Sequence, residues 1–271
     1  MYVLVTGGAG YIGSHAVKRL LSDAHRVVVI DNLVMGHRAA LERLTPRAEG
    51  RLAFVQGDVA DFNLVERVLW EHKVDAVMHF AALAAVGESV VKPLAYYHAN
   101  VTGMESLLRA VEKHNVTRFV FSSSCATYGQ PADDQVPVRE SCPQQPISPY
   151  GRTKLVNEWQ LRDFADARRR AGKDFAFVAL RYFNVAGADP EGLIGEDHTP
   201  ESHLVPLVIQ AALGHRPHIE IFGTDYPTPD GTCIRDYVHV SDLVDAHALA
   251  LDRLKAGDEM FLNVGIGAGI S

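Results

Sequence analysis

The first thirteen residues constrain the fold more than any other stretch of the chain. Residues 2–6 are almost wholly apolar, which predicts a strand buried on both faces of a parallel sheet. Gly7, Gly10 and Gly13 follow at G-x-x-G-x-x-G spacing and lead into a helical pattern over about 12–21. A strand that turns through glycines into a helix lets the backbone approach a pyrophosphate at the positive end of that helix. The sequence therefore predicts a dinucleotide-binding unit at the N-terminus.

Apolar runs and helical patterns alternate through the next 180 residues, as they do in a doubly wound α/β fold. The predicted strands are 26–30, 52–56, 76–80, 118–122 and 175–180, and the predicted helices between them are about 62–73, 93–114 and 150–171. After Tyr182 the chain becomes rich in Gly, Pro, Asp and Glu. There we expect a loop over 184–200, a helix over 203–214, a short strand over 218–222, a helix from Ser241 to about 255 and a last strand over 260–264.

This pattern predicts a Rossmann-type α/β fold, a doubly wound parallel sheet with a smaller, interleaved C-terminal lobe. We assign 1–182 to the dinucleotide-binding domain, with 236–259 returning to it. We assign 183–235 and 260–271 to a substrate lobe. No repeat or low-complexity linker separates the two parts.

The bulk composition excludes several classes of protein. A formal charge of −7 over 271 residues argues against a nucleic-acid or acidic-membrane binder. Cys125, Cys142 and Cys233 match no zinc or disulfide spacing, so we expect reduced thiols, no metal site and a cytoplasmic location. The apolar N-terminal run ends at glycine within six residues and has no basic residues before it, so we interpret it as a strand and not a signal peptide.

An acidic residue at the end of the second strand points to the identity of the dinucleotide. Asp31 comes 18 residues after Gly13, where a carboxylate accepts hydrogen bonds from the adenosine ribose and repels a 2′-phosphate. The predicted cofactor is therefore NAD and not NADP. Gly57-Asp58-Val59 follows the third strand at the adenine position, and we interpret His79 as a core histidine.

Tyr150 and Lys154 are the strongest candidates for catalysis. In a helix that begins near Tyr150, the two side chains project from one face because they are four residues apart. A cation near a phenol favours the phenolate, which makes tyrosine a usable base. The same spacing also occurs on ordinary helix surfaces, so the pair alone does not establish chemistry.

Taken together, the motifs resemble the extended short-chain dehydrogenase/reductase family, and within it the enzymes that invert UDP-sugars at C4. The resemblance runs through nearly the whole chain. Besides the glycine loop, it rests on Asp31-Asn32-Leu33, Gly57-Asp58, Val86-Gly87-Glu88-Ser89, Ser122-Ser123-Ser124, Ser148-Pro149-Tyr150-Gly151 with Lys154, Arg181-Tyr182-Phe183-Asn184, Gly195-Glu196-Asp197, the 222–228 loop, Asp230-Gly231 and Arg235-Asp236-Tyr237-Val238-His239.

The resemblance implies a role for each matching residue. Tyr150 is the acid/base, Lys154 binds the nicotinamide ribose and lowers the tyrosine pKa, and Ser124 hydrogen-bonds the sugar 4-hydroxyl. The implied NAD-binding residues are Gly7, Gly10, Tyr11, Ile12, Gly13, Asp31, Asn32, Asp58, Val59, Phe80, Ala81, Ala82, Tyr150, Lys154 and Tyr182. The implied substrate-binding residues are Ser124, Tyr150, Asn184, His203, Leu204, Phe222 and Arg235. The implied reaction interconverts UDP-glucose and UDP-galactose through a 4-keto sugar that rotates before hydride returns to its opposite face.

Three alternatives stay open at this stage. A nucleotide-sugar dehydratase or decarboxylase shares the pattern as far as Lys154, but a dehydratase needs an acid just after the serine position, where this chain has Cys125-Ala126-Thr127. A dehydrogenase that exchanges its cofactor fits less well with Arg235 and the 222–228 loop. A non-catalytic NAD-binding protein would not need Ser124, Tyr150 and Lys154 together.

Two further expectations come from the resemblance. Members of the family continue several tens of residues beyond the Gly-x-Gly-x-Ser element at 267–271. The sequence is therefore either a fragment or ends early, and for a molecule that ends at Ser271 we expect an incomplete substrate lobe, poor stability and weak activity. Members also form homodimers through two helices from each subunit, which correspond here to about 93–114 and 150–171.

Overall fold

The computed structural model describes residues 1–271, and its centre is a seven-stranded parallel sheet. The order of strands across this sheet is β3-β2-β1-β4-β5-β6-β9. The strands are β1 (Tyr2–Thr6), β2 (Arg26–Asp31), β3 (Leu52–Gln56), β4 (Ala76–His79), β5 (Arg118–Ser122), β6 (Ala176–Tyr182) and β9 (Glu259–Val264). This finding confirms the predicted doubly wound fold.

Nine α-helices cover the sheet and the region after it. They are α1 (Tyr11–Ser22), α2 (Arg38–Ala48), α3 (Phe62–His72), α4 (Val86–Val91), α5 (Pro93–Tyr96), α6 (Gly103–His114), α7 (Pro149–Arg170), α8 (Leu204–Ala212) and α9 (Val240–Arg253). None of them combines the length and the apolar character that a membrane span needs.

Alternation along the central strands divides the core into two layers. Val3 and Val5 of β1 point to one face, which α1, α2 and α9 cover. Leu4 points to the other face, which α3, α6 and α7 cover. Because both faces are covered, the strands are apolar throughout, which is the pattern that makes them recognisable in the sequence.

The strand order places a crevice at the carboxyl ends of β1 and β4. The chain leaves β1 toward β2 on one side and reaches β4 on the other, so the connections diverge between these two strands. Ligands of doubly wound sheets bind at such a switch point. Gly7 follows β1 there, and Phe80 and Ala81 follow β4 with their backbone N–H groups donating to Thr6 O at 3.0 and 3.1 Å.

A second, three-stranded sheet lies beyond β6. It consists of β7 (Asn184–Ala186), β8 (Arg235–His239) and β10 (Gly269–Ile270), in the order β10-β8-β7. The prediction of a loop over 184–200 is therefore wrong for 184–186. The predicted strand over 218–222 is absent because no neighbouring strand pairs with it, although its apolar residues alternate.

The last predicted strand occupies a different part of the molecule from the one we expected. We assigned 260–271 to the substrate lobe, whereas β9 pairs in parallel with β6 from Phe177 opposite Glu259 to Tyr182 opposite Val264. Only β10 joins the small sheet. The predicted domain boundary at residue 260 is wrong because an apolar pattern predicts a strand but not the strand with which it pairs. The division into two lobes is kept as a proposal, with 259–264 moved to the large sheet.

The segment 93–114 is not one α-helix, as the sequence predicted. A π-helical stretch over Tyr97–Thr102 separates α5 from α6. The buried Asn100 in this stretch accepts from Leu83 N at 2.9 Å and donates to Leu83 O at 3.1 Å and to Thr153 Oγ1 at 2.9 Å. The π turn thus ties the loop after β4 to α7, as such turns often do near functional sites.

Candidate active site

The glycine loop is shaped by contacts that a side chain would not permit. Gly7 has a φ of +72°, and a Cβ added to it would lie 2.6 Å from Ala81 N. A Cβ on Gly13 would lie 2.1 Å from Gly7 O. Gly10 is the N-cap residue of α1 and provides no side-chain cap to the first turn. The free N–H groups and the helix dipole therefore favour an anion at this end of α1.

Asp31 ends β2 with its carboxylate beside this loop. The side chain is 7% exposed, and its two oxygens accept hydrogen bonds from Ala9 N at 2.9 Å and Leu33 N at 2.8 Å. Burial raises the pKa of Asp31, and the two backbone N–H groups oppose that rise. Each oxygen keeps acceptor capacity for a hydroxyl group, as the predicted ribose contact requires.

The other predicted cofactor residues surround the same crevice. Asn32 Nδ2 donates to Asp58 Oδ2 at 2.9 Å, which joins the ends of β2 and β3. Val59 is buried at the start of the next connection, and Phe80, Ala81 and Ala82 follow β4. Tyr11 and Ile12 begin α1, and the Tyr11 hydroxyl donates to Gly187 O at 2.6 Å. This contact links the glycine loop to the region after β7.

Tyr150 and Lys154 lie on the first two turns of α7. Ser148 caps this helix by accepting from Gly151 N at 3.1 Å, and Pro149 occupies the first turn. Lys154 Nζ lies 5.9 Å from the Tyr150 ring centroid and donates to Ser122 O at 2.8 Å. Tyr150 is 8% exposed and Lys154 is 3% exposed, so the pair is buried and is not surface decoration.

Burial controls the ionisation of this pair. It raises the pKa of Tyr150 well above the usual range for a phenol, while a hydrogen bond with Ser124 opposes the rise. Burial also lowers the pKa of Lys154 to about 7, which nearby Glu158 partly offsets. Burial therefore dominates the ionisation of both groups in the protein chain by itself, and a lowering of the tyrosine pKa by Lys154 stays a prediction.

Ser124 and Tyr182 complete the wall around Tyr150. Ser124 follows β5 and is 7% exposed, and its Oγ accepts from Ala126 N at 3.1 Å. The Tyr182 hydroxyl hydrogen-bonds Ser122 Oγ, and burial raises the pKa of Tyr182 to about 12. Three hydroxyl groups therefore lie at the carboxyl ends of β5 and β6, facing α7.

A buried ion pair that the sequence analysis missed holds this arrangement. The Arg181 guanidinium donates to both oxygens of Glu158, with Nε–Oε1 and Nη2–Oε2 distances of 2.9 and 2.7 Å. The two side chains are 3% and 2% exposed. Ser123 Oγ donates to Glu158 Oε1 at 2.6 Å, so α7, β6 and the end of β5 meet at one carboxylate. The sequence does contain one sign of this contact. Glu158 lies eight residues after Tyr150 and therefore on the helix face that carries Tyr150 and Lys154.

His79 is a core residue, as predicted. It is 1% exposed, its Nδ1 hydrogen-bonds Thr6 Oγ1 at 2.7 Å, and its ring stacks on Phe121 at a centroid distance of 5.8 Å. Burial, together with the Lys154 charge, lowers the pKa of His79 to about 3. The imidazole is therefore neutral beside the lysine.

The predicted substrate residues lie in the second lobe and are less enclosed. Asn184 is in β7 opposite Tyr237 of β8. Arg235 begins β8, is exposed, and lies close enough to Cys125 to lower its thiol pKa, although burial still raises that pKa to about 11. His203 and Leu204 begin α8, and Leu204 is 54% exposed. Phe222 is 83% exposed, so it does not enclose a substrate pocket in this structure.

Comparison with known proteins gives a consistent result. The family model described as NAD dependent epimerase/dehydratase family matches residues 3–265. A UDP-glucose 4-epimerase of Halalkalibacterium halodurans is 49% identical over 272 residues, which cover 100% of this chain and 77% of the relative. A probable UDP-arabinose 4-epimerase 1 of rice is 47% identical over 100% of this chain and 64% of its own length.

Solved structures of similar proteins have the same fold as this chain. The crystal structure of UDP-glucose 4-epimerase from Bifidobacterium longum in complex with NAD+ and UDP superposes with a TM-score of 0.93. Its sequence is 40% identical, and the match covers 100% of this chain and 80% of that one.

Proposed function

The chain belongs to the NAD dependent epimerase/dehydratase family, and from this premise we propose that it interconverts UDP-glucose and UDP-galactose by inverting C4. The observation that carries the proposal is the buried set of Tyr150, Lys154 and Ser124 beside the glycine-loop crevice. Relatives named UDP-glucose 4-epimerase match the whole chain at 49% identity.

The residues of the crevice fit NAD. The first turn of α1 and Gly7, Gly10 and Gly13 would hold the pyrophosphate, since no side chain caps this helix. Asp31 and Asn32 would bind the adenosine ribose, and Asp58 and Val59 would line the adenine. Lys154, which uses one of its three N–H donors on Ser122 O, would bind the nicotinamide ribose. Tyr11, Ile12, Phe80, Ala81, Ala82 and Tyr182 would line the remaining surface.

Proton transfer is the task of Tyr150. NAD held in this crevice would supply reversible hydride transfer at the sugar C4, and the positive charge of its oxidised nicotinamide would favour the Tyr150 phenolate. Tyr150 takes the proton of the 4-hydroxyl and later returns it. Ser124 hydrogen-bonds the same hydroxyl and the phenol oxygen, which orients both. A single base serves both directions because the groups involved are unchanged after C4 inverts.

The nucleotide would be held by the second lobe while the sugar turns. We propose that Arg235 binds the diphosphate through its planar guanidinium, and that Asn184, His203, Leu204 and Phe222 line the rest of the nucleotide. The exposure of Arg235 and Phe222 in the structure leaves these side chains accessible to a ligand. A firm hold on UDP and a loose hold on the sugar permit rotation of a 4-keto intermediate.

The residues after Ser124 disfavour a dehydratase. Elimination needs an acid that protonates the departing hydroxyl. The next residue is Cys125, whose thiol pKa is raised to about 11 by burial, and Thr127 Oγ1 donates to Ser124 O at 2.9 Å. Neither group is a carboxylic acid.

Two features of assembly and location belong to the same proposal. We propose a homodimer through α7 and the segment from α5 to α6, because α4, α5 and α7 carry exposed apolar side chains, among them Val91, Leu94 and Trp159. We propose a cytoplasmic location because Cys125, Cys142 and Cys233 are all free thiols.

Replacing Tyr150 by Phe tests the chemistry. Conversion of UDP-galactose to UDP-glucose is expected to fall by about 10³-fold, since general acid–base groups contribute roughly that much. NAD binding is expected to persist. Tyr2→Phe is the matched control, because Tyr2 begins β1 at the opposite end of the sheet and its hydroxyl contacts His72. Full activity of Tyr150→Phe would remove the proposed base.

A further inference from the structure

Four metal-binding side chains converge in the segment between β7 and α8. One ligand atom from each of Glu196, His198, Glu201 and His203 lies within 4.8 Å of all the others. The sequence analysis predicted no metal here, because it searched for cysteine spacings and not for Glu-x-His-x-x-Glu-x-His. The cluster contains two imidazoles as well as two carboxylates, so it is not an ordinary acidic surface.

Four separations between imidazole nitrogens and carboxylate oxygens of the cluster lie between 2.8 and 3.8 Å. His203 Nδ1 lies 2.8 Å from Glu196 Oε1 and 3.0 Å from Glu201 Oε1. His198 Nδ1 lies 3.3 Å from Glu196 Oε1 and 3.8 Å from Glu201 Oε2. Ligands about 2.0–2.1 Å from a tetrahedral zinc ion are separated from one another by about 3.3 Å. The four observed separations lie on both sides of this value.

Only imidazole side chains form ion pairs with the two carboxylates of the cluster. The side chains of Glu196 and Glu201 are each 7% exposed, so two carboxylates are largely removed from water. Buried carboxylates need a cation or several donors. His203 Nδ1 is shared between both of them, and because Glu201 Oε1 also accepts from two backbone N–H groups, Glu196 is the carboxylate with fewer donors.

One nitrogen within the cluster has no well-formed hydrogen bond of its own. His198 Nδ1 is buried and forms no hydrogen bond, although the two carboxylates surround it. Its side chain is 19% exposed, and the ring lies 5.2 Å from that of His203, centroid to centroid. A buried imidazole nitrogen among carboxylates is satisfied when its lone pair binds a metal ion.

We propose that Glu196, His198, Glu201 and His203 bind one Zn²⁺ ion. Mixed imidazole and carboxylate ligands suit zinc, whereas Mg²⁺ prefers six oxygen ligands. Four protein ligands leave no open position, so the ion is structural and not catalytic.

The ion would fix the approach of the chain to α8. Glu201 Oε1 also accepts from the N–H groups of Ser202 and His203 at 2.7 and 2.8 Å, and this orients the carboxylate. His203 is the N-cap residue of α8. Coordination through Nδ1 leaves Nε2 on the other side of the ring, available for the nucleotide contact proposed above.

Zinc binding to the full 271-residue chain tests the site without substrate. Chelator-treated protein is titrated with zinc chloride by calorimetry, and with cobalt chloride by visible absorption. We expect one zinc ion per chain, tetrahedral Co²⁺ absorption bands, and no comparable binding of magnesium chloride. In His198→Gln and Glu201→Gln, zinc affinity is expected to fall by more than about 100-fold, since even outer-shell changes cost 10–100-fold.

The zinc titration needs a control variant and a check that the variants are folded. His218→Gln removes an exposed histidine that lies 4.0 Å from Glu220, and it is expected to keep full zinc affinity. Far-UV circular dichroism and retained NAD binding show that the variants are folded. Absence of stoichiometric zinc binding, or unchanged affinity in His198→Gln, would overturn the site and leave an ion pair between His203 and the carboxylates. Because substrate is not used, either result is independent of the epimerase proposal.

Discussion

At the scale of single residues, the site depends on two groups whose ionisation is set by burial. Tyr150 and Lys154 could be recognised in the sequence because their i, i+4 spacing is local. Their pKa values could not be predicted from the sequence, because desolvation depends on residues from β4, β5 and β6 that pack around them. A buried tyrosine with a raised pKa is largely protonated, so the proposed mechanism relies on the positive charge of bound NAD to favour the Tyr150 phenolate.

The lowered pKa of Lys154 has a measurable effect on stability. The pKa of Lys154 is about 7 in the folded protein, whereas a lysine surrounded by water, as in the unfolded chain, has a pKa of 10.5. Between these values the unfolded chain binds one more proton, so this residue makes stability rise with pH from about 7 upward. The titratable groups near the ammonium are His79 of β4 and Tyr150 and Glu158 of α7.

Urea denaturation of NAD-free protein at pH 7 and pH 9 measures this effect. The free energy of unfolding of the wild type, minus that of Lys154→Met, is expected to increase by on the order of 2 kcal/mol over this range. Subtracting the variant removes the contributions of other titrating groups. A difference that stays constant would mean that Lys154 keeps an ordinary pKa.

At the scale of elements, α7 acts as one rigid support for the site. Tyr150, Lys154 and Glu158 occupy successive turns of one face, and Glu158 joins this helix to β6 through Arg181 and to β5 through Ser123. Ser148 and Pro149 start the helix, as their types predict. The Glu158–Arg181 pair could not be predicted in the same way, because its prediction requires that β6 is known to lie opposite α7, and no local sequence pattern contains that information.

Breaking this ion pair is expected to destabilise the protein strongly. Glu158→Gln leaves the 3%-exposed Arg181 charge without its carboxylate, and such losses cost about 3–5 kcal/mol. The double variant Glu158→Leu/Arg181→Met is expected to recover much of that loss, because it removes both charges. Thermal or urea unfolding measures both.

Asp166→Asn is the control for this experiment. Asp166 pairs with Arg169 on the same helix but both side chains are exposed, so the unfolding midpoint is expected to stay unchanged. If Glu158→Gln were as stable as this control, the buried pair would not hold α7 in place.

At the scale of the whole molecule, strand order brings distant residues to one crevice. The glycine loop, Asp31 and the β4 loop meet because β1 lies between β2 and β4. The sequence predicted the parallel sheet and this edge, since buried parallel strands have a continuous apolar pattern. It did not predict β7, β8 and β10, which are short, follow turn-rich segments and pair over long separations. It misplaced β9 for the same reason.

The exposed Trp159 of α7 allows a direct test of the proposed dimer. Trp159 is 53% exposed on α7, and Trp70 is 67% exposed on α3. Trp159→Asp is expected to convert a dimer to a monomer in size-exclusion chromatography with light scattering. Trp70→Asp, the matched control outside the proposed interface, is expected to remain dimeric. A monomeric wild type, or a dimeric Trp159→Asp, would contradict the proposed interface.

The central claim is reversible oxidation and inversion at C4 with the cofactor retained. UDP-galactose deuterated at C4 is incubated with the purified chain, and the product is analysed by NMR and mass spectrometry while absorbance reports free NADH. We predict UDP-glucose that keeps deuterium at C4, with no stoichiometric release of NADH. Deuterium lost to solvent, one NADH released for each substrate, or a dehydrated product would contradict this mechanism.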